Sequence, residues 1–360
     1  MGFETIRFSG FRNLEDGEVN VNAYEIYLIG KNGQGKTNFL ESLYLLSYGS
    51  SFRTRIDKDI ISHERKDMAV HGKFSTENEK FGQLSYIWKN GNKIIKVNGK
   101  IISDRKDLIN KLPVIVFVHD DFLFVSGPPE KRRWFVDQTL SLHDPLYVDQ
   151  LRRYKKLLKE RNYLLKTRQF SLLDHYSEQL AFSGLAVSEK RKSLLNEFNK
   201  IFTPLYREIS GIEEEISFIY KPSWGKARTS DEVMNIFYEK REMDAALGMT
   251  GTGPHRDRFI FSVNGKDFVK TASTGQQRLL SLVLRVAQAQ FYTSTTGKKP
   301  VLLLDDVLLE LDPEKRKLFR EKLPESEQIF YTFLPGEKTG KKDREYITYK
   351  VINGKFYAGR

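Results

Sequence analysis

The stretch GKNGQGKTNFLESL, residues 30–43, dictates the fold of the first part of this chain. Its first eight residues fit G-x-x-x-x-G-K-[ST], a pattern whose glycines let successive backbone N–H groups turn toward phosphate oxygens. The apolar segment YEIYLIG runs into the loop, and Phe39, Leu40 and Leu43 follow it at helical spacing. A strand, a glycine loop and a helix in this order predict a binding site for a nucleoside triphosphate.

The residue types of this loop suit a phosphate chain. Lys36 is expected to reach the β- and γ-phosphates and Thr37 to offer its hydroxyl to Mg²⁺, while the helix adds the positive end of its dipole. The predicted nucleotide-binding residues of the loop are Gly30, Lys31, Asn32, Gly33, Gln34, Gly35, Lys36 and Thr37. The alternative is a glycine turn that binds nothing, but a lysine beside such a turn has little structural use.

A second half of the site is predicted at the segment VLLLDD, residues 301–306. Four apolar residues in a row are typical of a strand that is covered on both faces. Asp305 at its end is expected to hold the metal ion, and Asp306 to position and deprotonate the attacking water. The alternative is that two aspartates merely end a strand; with the phosphate loop in the same chain, the catalytic interpretation is favoured.

A polar segment, ASTGQQR at residues 272–278, stands just before an amphipathic helix. The hydroxyl of Ser273, the loop N–H groups near Gly275 and Gln276, and the helix N-terminus make a candidate anion site. A second anion site has a use if two chains meet head to tail and each completes the pocket of the other. An ordinary polar helix cap explains the segment equally well.

The composition favours a soluble protein with a polyanionic partner. The 360 residues carry a net charge of +12, which suits nucleic acid or an anionic membrane surface, although solubility alone would also explain it. There is no cysteine, which excludes disulfides and thiolate metal sites. The longest apolar runs are too short or too acidic to cross a bilayer. We therefore expect a cytoplasmic protein without a membrane partner.

The chain is expected to fold as α/β with a helical insertion. Two Asn-Gly pairs within residues 68–102 predict a β-meander, and Asn264–Gly265 predicts another hairpin. After Gly127 the composition becomes rich in Leu, Lys, Arg and Glu, which indicates helices, and QIFYTF is expected to be the closing strand. The predicted domains are the first part of a nucleotide-binding lobe at 1–126, a helical lobe at 127–248 and the second part of the nucleotide-binding lobe at 249–360.

Several segments together resemble the RecF family of ABC-type ATPases, and they occur in the order of that family from one end of the chain to the other. They are Phe11-Arg12-Asn13-Leu14, GKNGQGKTNFLESL, Ser51-Phe52-Arg53-Thr54, Gly127-Pro128-Pro129 with Arg132-Arg133, Lys159-Glu160-Arg161-Asn162 followed by Leu164-Leu165-Lys166, Gly253-Pro254-His255-Arg256-Asp257, Gly275-Gln276-Gln277-Arg278, and Leu309-Glu310-Leu311-Asp312 after the double aspartate. The resemblance implies a P-loop ABC-type ATPase head, a mixed sheet with flanking helices plus a β-meander, with an inserted, mainly helical lobe.

The resemblance also implies an activity. Two heads would dimerise around ATP and Mg²⁺, with Ser273 and Gly275 touching the γ-phosphate held by the opposite subunit and Arg12 close to the nucleotide. Weak, DNA-stimulated ATP hydrolysis would release the dimer from duplex or gapped DNA. The implied context is recombinational repair, the SOS response and replication-fork maintenance in the nucleoid, with RecR and RecO as partners.

Some positions depart from the family pattern. Thr274 and Leu309 stand where the family usually has glutamine and serine, and Val118–His119 where it favours serine and proline. Phe333 interrupts a run of hydroxyl residues that is expected after the last strand. These departures concern the cross-subunit contacts more than ATP binding.

A basic segment is a candidate DNA-binding surface. Residues 131–168 hold eleven basic and four acidic residues. The predicted DNA contacts are Arg132, Arg133, Arg152, Lys155 and Lys159. The alternatives are a solvated helix face and, for Arg132 and Arg133, a bracing role in the ATPase domain.

Two other functions are compatible with the ATPase motifs. One is the nucleotide-binding subunit of an ABC transporter, which normally carries a glutamate where Asp306 stands. The other is an ATP-sensing dimerisation module in which hydrolysis has no function.

Overall fold

The computed structural model describes residues 2–76, 79–109, 111–337 and 344–359. The elements of the first third are β1 (Gly2–Ser9), β2 (Gly17–Asn20), β3 (Glu25–Ile29), α1 (Lys36–Tyr48), β4 (Met68–Thr76), β5 (Glu79–Lys89), β6 (Asn92–Val97), β7 (Lys100–Ile101), α2 (Lys106–Ile109) and β8 (Val114–Phe117). The middle contains α3 (Leu123–Ser126), α4 (Pro129–His143), α5 (Pro145–Thr167), α6 (Leu173–Ser210), β9 (Ser217–Lys221), α7 (Ser230–Glu239), α8 (Arg241–Leu247), β10 (Arg258–Val263) and β11 (Lys266–Asp267). The last third contains α9 (Thr274–Thr296), β12 (Val301–Leu304), α10 (Pro313–Glu321), β13 (Gln328–Phe333), β14 (Tyr346–Ile352) and β15 (Lys355–Ala358).

The chain divides into two compact units. The first is made of residues 1–120 and 296–360, and the second of residues 121–295. The two ends of the chain therefore belong to one unit.

A six-stranded sheet in the first unit carries the order β15-β14-β3-β13-β12-β8. The pairs from β14 to β8 are parallel, and β15 adds an antiparallel edge strand. Strands β8, β12 and β13 are buried along their whole length, which is what a run such as VLLL requires. The carboxyl ends of β3, β12 and β13 therefore meet at one edge of this sheet.

The second sheet of this unit is the predicted β-meander. Its order is β2-β1-β4-β5-β6-β7, with antiparallel pairs throughout. Both predicted tight turns are present, because Asn90–Gly91 and Asn98–Gly99 have positive φ at both positions. Helix α1 shares one apolar core with both sheets, which explains why it is apolar on nearly every side.

The second unit is mainly helical. Helices α5 and α6 are joined by a short connection and pack against each other, and the small sheet β11-β10-β9 is antiparallel. The predicted hairpin at Asn264–Gly265 joins β10 and β11.

The contacts place residues 121–126 and 249–295 in the second unit, whereas the sequence assigned them to the nucleotide-binding lobe. The reason is long-range pairing: β10 forms hydrogen-bonded pairs with β9, and the buried Arg285 of α9 lies 2.7 Å from Asp121. Gln288 of α9 likewise donates to Thr139 in α4. None of these partners is close in sequence.

The expectation that QIFYTF closes the chain is wrong. Strand β13 is followed by the hairpin β14–β15. The signal was present in the sequence, because Asn353–Gly354 is an Asn-Gly pair of the same kind as the predicted turns, with φ of +47° and +79°.

One buried side chain ties the two sheets of the first unit together. Gln328 is the first residue of β13. Its side-chain nitrogen Nε2 donates to the carbonyls of Phe3 (3.1 Å) and Ala23 (2.9 Å), and it also contacts the carbonyl of Val21. Its Oε1 accepts from the Phe3 N–H at 3.0 Å. The backbone of Phe3 beside the bulge in β1 thus has a partner for both polar groups.

Replacing Gln328 by leucine is expected to lower the free energy of unfolding by about 3 kcal/mol, because buried backbone groups lose their partners. Chemical denaturation followed by circular dichroism measures this loss. The matched control is Gln83→Leu, the same change at an exposed position of β5, which should cost less than about 0.5 kcal/mol. Equal losses in the two variants would contradict the assigned role.

Candidate nucleotide-binding site

The predicted phosphate loop connects β3 to α1, as its sequence requires. Gly35 has φ of +111°, and a Cβ added there would lie 2.7 Å from Leu14 Cδ2, so only glycine fits this position. Helix α1 begins at Lys36 with no side-chain cap and no acidic residue in its first turn. Its first N–H groups are therefore available to an anion.

A cavity of about 300 Å³ lies over this loop. Its lining residues are Lys31, Asn32, Gly33, Gln34, Gly35, Lys36, Thr37, Asn38, Arg53 and Asp306. Seven of the eight predicted loop residues and one of the two predicted aspartates thus line a single cavity.

Lys36 spans the loop and approaches the second half of the site. Its buried ammonium donates to the Gly30 carbonyl at 2.7 Å and lies 3.6 Å from Asp306 Oδ2. Gly30 in turn donates its N–H to the Phe333 carbonyl. Lys36 and Asp306 are far apart in the sequence, and the parallel sheet brings the cation and the carboxylate face to face.

The two aspartates are joined to the loop and to each other by hydroxyl groups. Thr37 donates to Asp305 Oδ1 at 3.0 Å. Thr332 Oγ1, near the end of β13, lies 3.0 Å from Asp305 Oδ1 and 2.8 Å from Asp306 Oδ1, and it accepts from the Asp306 N–H at 2.8 Å. Because a hydroxyl has one proton, Thr332 bonds one of these carboxylates at a time.

Thr332 is a site residue that the sequence analysis missed. Its place beside the aspartates follows from the register, in which Leu304 pairs with Tyr331.

Asp305 and Asp306 differ in environment. Burial raises the pKa of the Asp305 carboxyl, with a contribution from the neighbouring Asp306 carboxylate, although bonds from Thr37 and Thr332 oppose the rise. Asp306 is partly exposed to the cavity and has φ of +53°, a left-handed conformation that is uncommon for a residue other than glycine. Asp305 is thus buried, whereas Asp306 lines the cavity.

The loop is supported from behind by two segments, one around Asn13 and the other the Asn353–Gly354 turn. Asn13 donates to the Gly33 carbonyl at 2.9 Å, and the Asn353 N–H donates to the Gln34 side chain at 2.7 Å. The Gly354 N–H donates to the Gln34 carbonyl. A Cβ on Gly354 would lie 2.1 Å from the Asn13 carbonyl oxygen, so the two supporting segments touch each other.

Arg12, predicted to lie near the nucleotide, does not line the cavity. Its guanidinium forms a bidentate pair with the buried Glu41 (2.7 and 3.0 Å) and donates to the Asp59 carbonyl. Arg53 lines the cavity instead, and it bonds Asn38 at 2.7 Å and Glu41 at 3.3 Å. Both arginines pair with the Glu41 carboxylate, and of the two it is Arg53 that lines the cavity. Arg53 is therefore the better-placed cation for a phosphate oxygen.

The predicted cross-subunit residues lie at the start of α9 in the second unit. The Gln276 N–H donates to Ser273 Oγ at 3.2 Å, and the Ser273 N–H donates to Gln276 Oε1 at 2.8 Å. This reciprocal pair is a capping box, so Gln276 has a structural role. The Ser273 hydroxyl accepts in this pair and keeps its own proton for another acceptor.

The predicted DNA contacts fall into two groups. Arg132 donates to the carbonyls of Phe124 and Val125, and Arg133 donates to that of Asp257. Burial lowers the pKa of both guanidinium groups. This placement favours the bracing role for this pair within the second unit. The exposed group on α5 is Arg152, Lys155 and Lys159.

Comparison with known proteins identifies the family. Residues 3–355 match the family described as the RecF/RecN/SMC N-terminal domain. The DNA replication and repair protein RecF of Treponema pallidum (strain Nichols) is 44% identical over 93% of this chain and 95% of its own length. That of Trichlorobacter lovleyi is 34% identical over 85% of this chain and 83% of its own.

The chain belongs to the RecF family. A solved structure of the recombination mediator protein RecF with ATP, from the RecFOR pathway, superimposes with a TM-score of 0.91 at 28% identity and covers 100% of this chain and 98% of that one. An Smc head bound to the C-terminal winged-helix domain of ScpA matches with a TM-score of 0.58 at 15% identity, which concerns the fold alone. The predicted family and the predicted ABC-type ATPase head are therefore confirmed. Across the described ranges, no helix has the length and apolar character needed to span a membrane.

The raised pKa of Asp305 leads to a prediction for the nucleotide-free protein. The unfolded chain ionises this carboxyl near its ordinary value of 3.8, while the folded chain resists ionisation. The stability contributed by Asp305 therefore falls as pH rises from 3.8 through the folded pKa. Asp305→Asn keeps the acceptor for Thr37 and Thr332 but has no charge. Its melting temperature should exceed that of the wild type at pH 7, and by less at pH 4.

Calorimetry at the two pH values checks this expectation. The matched control is Asp312→Asn, because the backbone N–H of Lys315 bonds the Asp312 carboxylate at the start of α10 and lowers its pKa. That variant should be slightly less stable than the wild type at pH 7. A loss of stability in Asp305→Asn at pH 7 would show that the carboxylate is not under strain.

Proposed function

We propose that this chain is an ATP-dependent DNA-binding protein of recombinational repair and replication-fork maintenance. It binds ATP, dimerises on DNA at junctions of single and double strands, helps to load the recombinase, and leaves after a weak, DNA-stimulated hydrolysis of ATP. The observation that carries this proposal is the convergence of Lys36, Thr37, Asp305 and Asp306 around one cavity in a chain of the RecF family.

The cavity suits a triphosphate. Backbone N–H groups at the start of α1 and the ammonium of Lys36 would bind phosphate oxygens. A relative of this chain was solved with ATP, which supports the choice of ligand. Arg53 would add a cation at the rim, held in place by Asn38 and Glu41.

Thr37 and Asp305 would hold Mg²⁺. Their side-chain oxygens are 3.0 Å apart beside the cavity, and hydroxyl and carboxylate oxygens are the ligands that Mg²⁺ prefers. The described residues contain no cluster of three or more His, Cys, Asp or Glu side chains that suits a metal ion. One carboxylate and one hydroxyl are enough for an ion that is otherwise bound by substrate phosphates and water, and when bound it neutralises charge on the phosphates.

Asp306 would position the attacking water. Its carboxylate faces the cavity, and Thr332 fixes it by accepting from its backbone N–H and bonding its side chain. A water bonded to Asp306 could transfer its proton to that carboxylate as the oxygen attacks the terminal phosphorus. Thr332 acts through Asp306 and is a positioning residue.

Thr332→Val is expected to lower kcat for ATP hydrolysis at least about tenfold while leaving the affinity for ATP within about twofold, because the loop and Lys36 are untouched. Steady-state kinetics and nucleotide titration separate the two quantities. Thr332→Ser keeps the hydroxyl and should restore most of the rate. If the valine and serine variants lose activity equally, the hydroxyl does not position Asp306.

The proposed dimer is supported by the second anion site at the start of α9. Ser273 has a proton to donate, and a Cβ on Gly275 would meet no atom nearer than 3.9 Å. Packing within the chain therefore does not require glycine here. A γ-phosphate from a second copy, approaching this backbone, gives the glycine a function.

Ser273→Asp separates a phosphate contact from a helix cap. Aspartate caps helices as well as serine does, so the melting temperature should stay within about 2 °C, but its charge would repel a γ-phosphate and abolish the ATP-dependent dimer. The matched control is Thr229→Asp, the same change at the capping box of α7, which should leave dimerisation intact. Analytical ultracentrifugation with ATP and duplex DNA measures both. A wild-type chain that stays monomeric with both ligands would refute the proposed dimer.

Asp306→Asn in the same experiment tests whether hydrolysis opens the dimer. The variant should bind ATP and remain dimeric longer than the wild type. An unchanged lifetime would favour the ATP-sensing module without functional hydrolysis.

The DNA and protein partners follow from the family. The relatives are named for DNA replication and repair, and one solved relative is assigned to the RecFOR pathway. We infer that this chain binds duplex and gapped DNA in the nucleoid and acts with RecR and RecO. Arg152, Lys155 and Lys159 on α5 are exposed and remain the DNA contacts that the sequence predicts.

A further inference from the structure

The outer face of the β-meander sheet carries basic side chains in a regular arrangement. One cross-strand row, from edge to edge, consists of Glu18, Arg7, His71, Ser85, Lys96 and Ile101. The next row consists of Asn20, Thr5, Lys73 and Gln83. The opposite face of the sheet packs on the core of the first unit. Arg7, Lys73 and Lys96 therefore project on one side of the sheet, away from that core.

The salt bridges of the described residues do not involve these three cations. The acidic residue of the two rows is Glu18, and it lies on the edge strand β2. Arg7 and Lys73 are exposed and Lys96 is half-buried.

The environment of His71 reflects the positive field on this face. Its Nδ1 lies 2.9 Å from Ser85 Oγ. Burial lowers its pKa, and the charges of Arg7 and Lys96 on either side lower it further. The direction of this shift agrees with a net positive charge around His71 on this face.

We propose that this surface, the basic sheet face of Arg7, Lys73 and Lys96, binds the phosphate backbone of duplex DNA. The proposal rests on the proposed DNA-binding function. It places duplex DNA on a surface other than helices α4 and α5, which hold the contacts predicted from the sequence. Charge complementarity selects the occupant, because the face combines unpaired cations with neutral hydrogen-bonding groups such as Thr5 and Gln83. Contacts of this type position a protein on DNA without reading its sequence.

The dimensions agree with this occupant. Six strands at about 4.8 Å spacing are roughly 24 Å wide. Duplex DNA carries one phosphate per about 1.7 Å of its axis, so roughly 14 phosphates pass over this width. Three cations spread over neighbouring strands can each meet a phosphate.

The test removes the charges and keeps the fold. Arg7→Gln, Lys73→Gln and Lys96→Gln are combined in one variant of the full chain. The matched control combines Lys221→Gln, Lys226→Gln and Lys266→Gln, three exposed lysines of the second unit, and removes the same net charge. Affinity for a fluorescent duplex is measured with ATP over a salt series. Nucleotide affinity and melting temperature report whether each variant is intact.

The sheet-face variant should reduce the slope of log affinity against log salt by about 2 to 3, since each phosphate contact contributes about 0.9. Its affinity near physiological salt should fall at least tenfold, and the control should resemble the wild type. A sheet-face variant with the wild-type slope would overturn the proposal. So would an equal loss in the control, because it would assign the effect to net charge. A wild-type chain that binds no duplex at any salt concentration would instead refute the proposed function itself.

Discussion

The parallel register of β3, β13 and β12 is the constraint on which the candidate site depends. Pairing of Tyr331 with both Tyr27 and Leu304 brings the carboxyl ends of the three strands to one edge of the sheet. The phosphate loop leaves the first strand there, the two aspartates leave the last, and Thr332 stands near the end of the one between. A slip of one residue would turn every side chain of a strand to its other face and would separate the loop from its carboxylates.

The phosphate loop and the carboxylates of the site are held in place by different kinds of contact. The loop is held by hydrogen bonds from Asn13 and Asn353 and by close packing at Gly35. The carboxylates are held by the hydroxyl groups of Thr37 and Thr332, whose protons can change partners. Burial raises the pKa of the Asp305 carboxyl and so disfavours its charged form. A bound cation beside this carboxyl would favour its ionised form.

Prediction from sequence succeeded where a motif determines its own geometry. The phosphate loop, α1, the aspartate strand and three Asn-Gly hairpins were placed correctly, because glycine and asparagine at fixed offsets dictate φ and ψ locally. It failed for β14 and β15, although Asn353–Gly354 carried the same signal. Arg12 was expected at the nucleotide, but the cavity is lined by Arg53, since the choice between two arginines depends on where a third residue, the buried Glu41, lies.

The sequence by itself determined the family, the nucleotide loop, the aspartate pair and the basic character, because these depend on residue type and on spacing within a few residues. Only the tertiary structure decided which of the distant parts meet. Thr37 and Asp305 are separated by 268 positions and Gln34 and Asn353 by 319, and no local rule fixes such pairs. The role of each basic side chain also depends on tertiary structure. Whether it forms an ion pair, donates to buried carbonyls or is exposed to a partner depends on strand register and burial, which arise from packing over the whole chain.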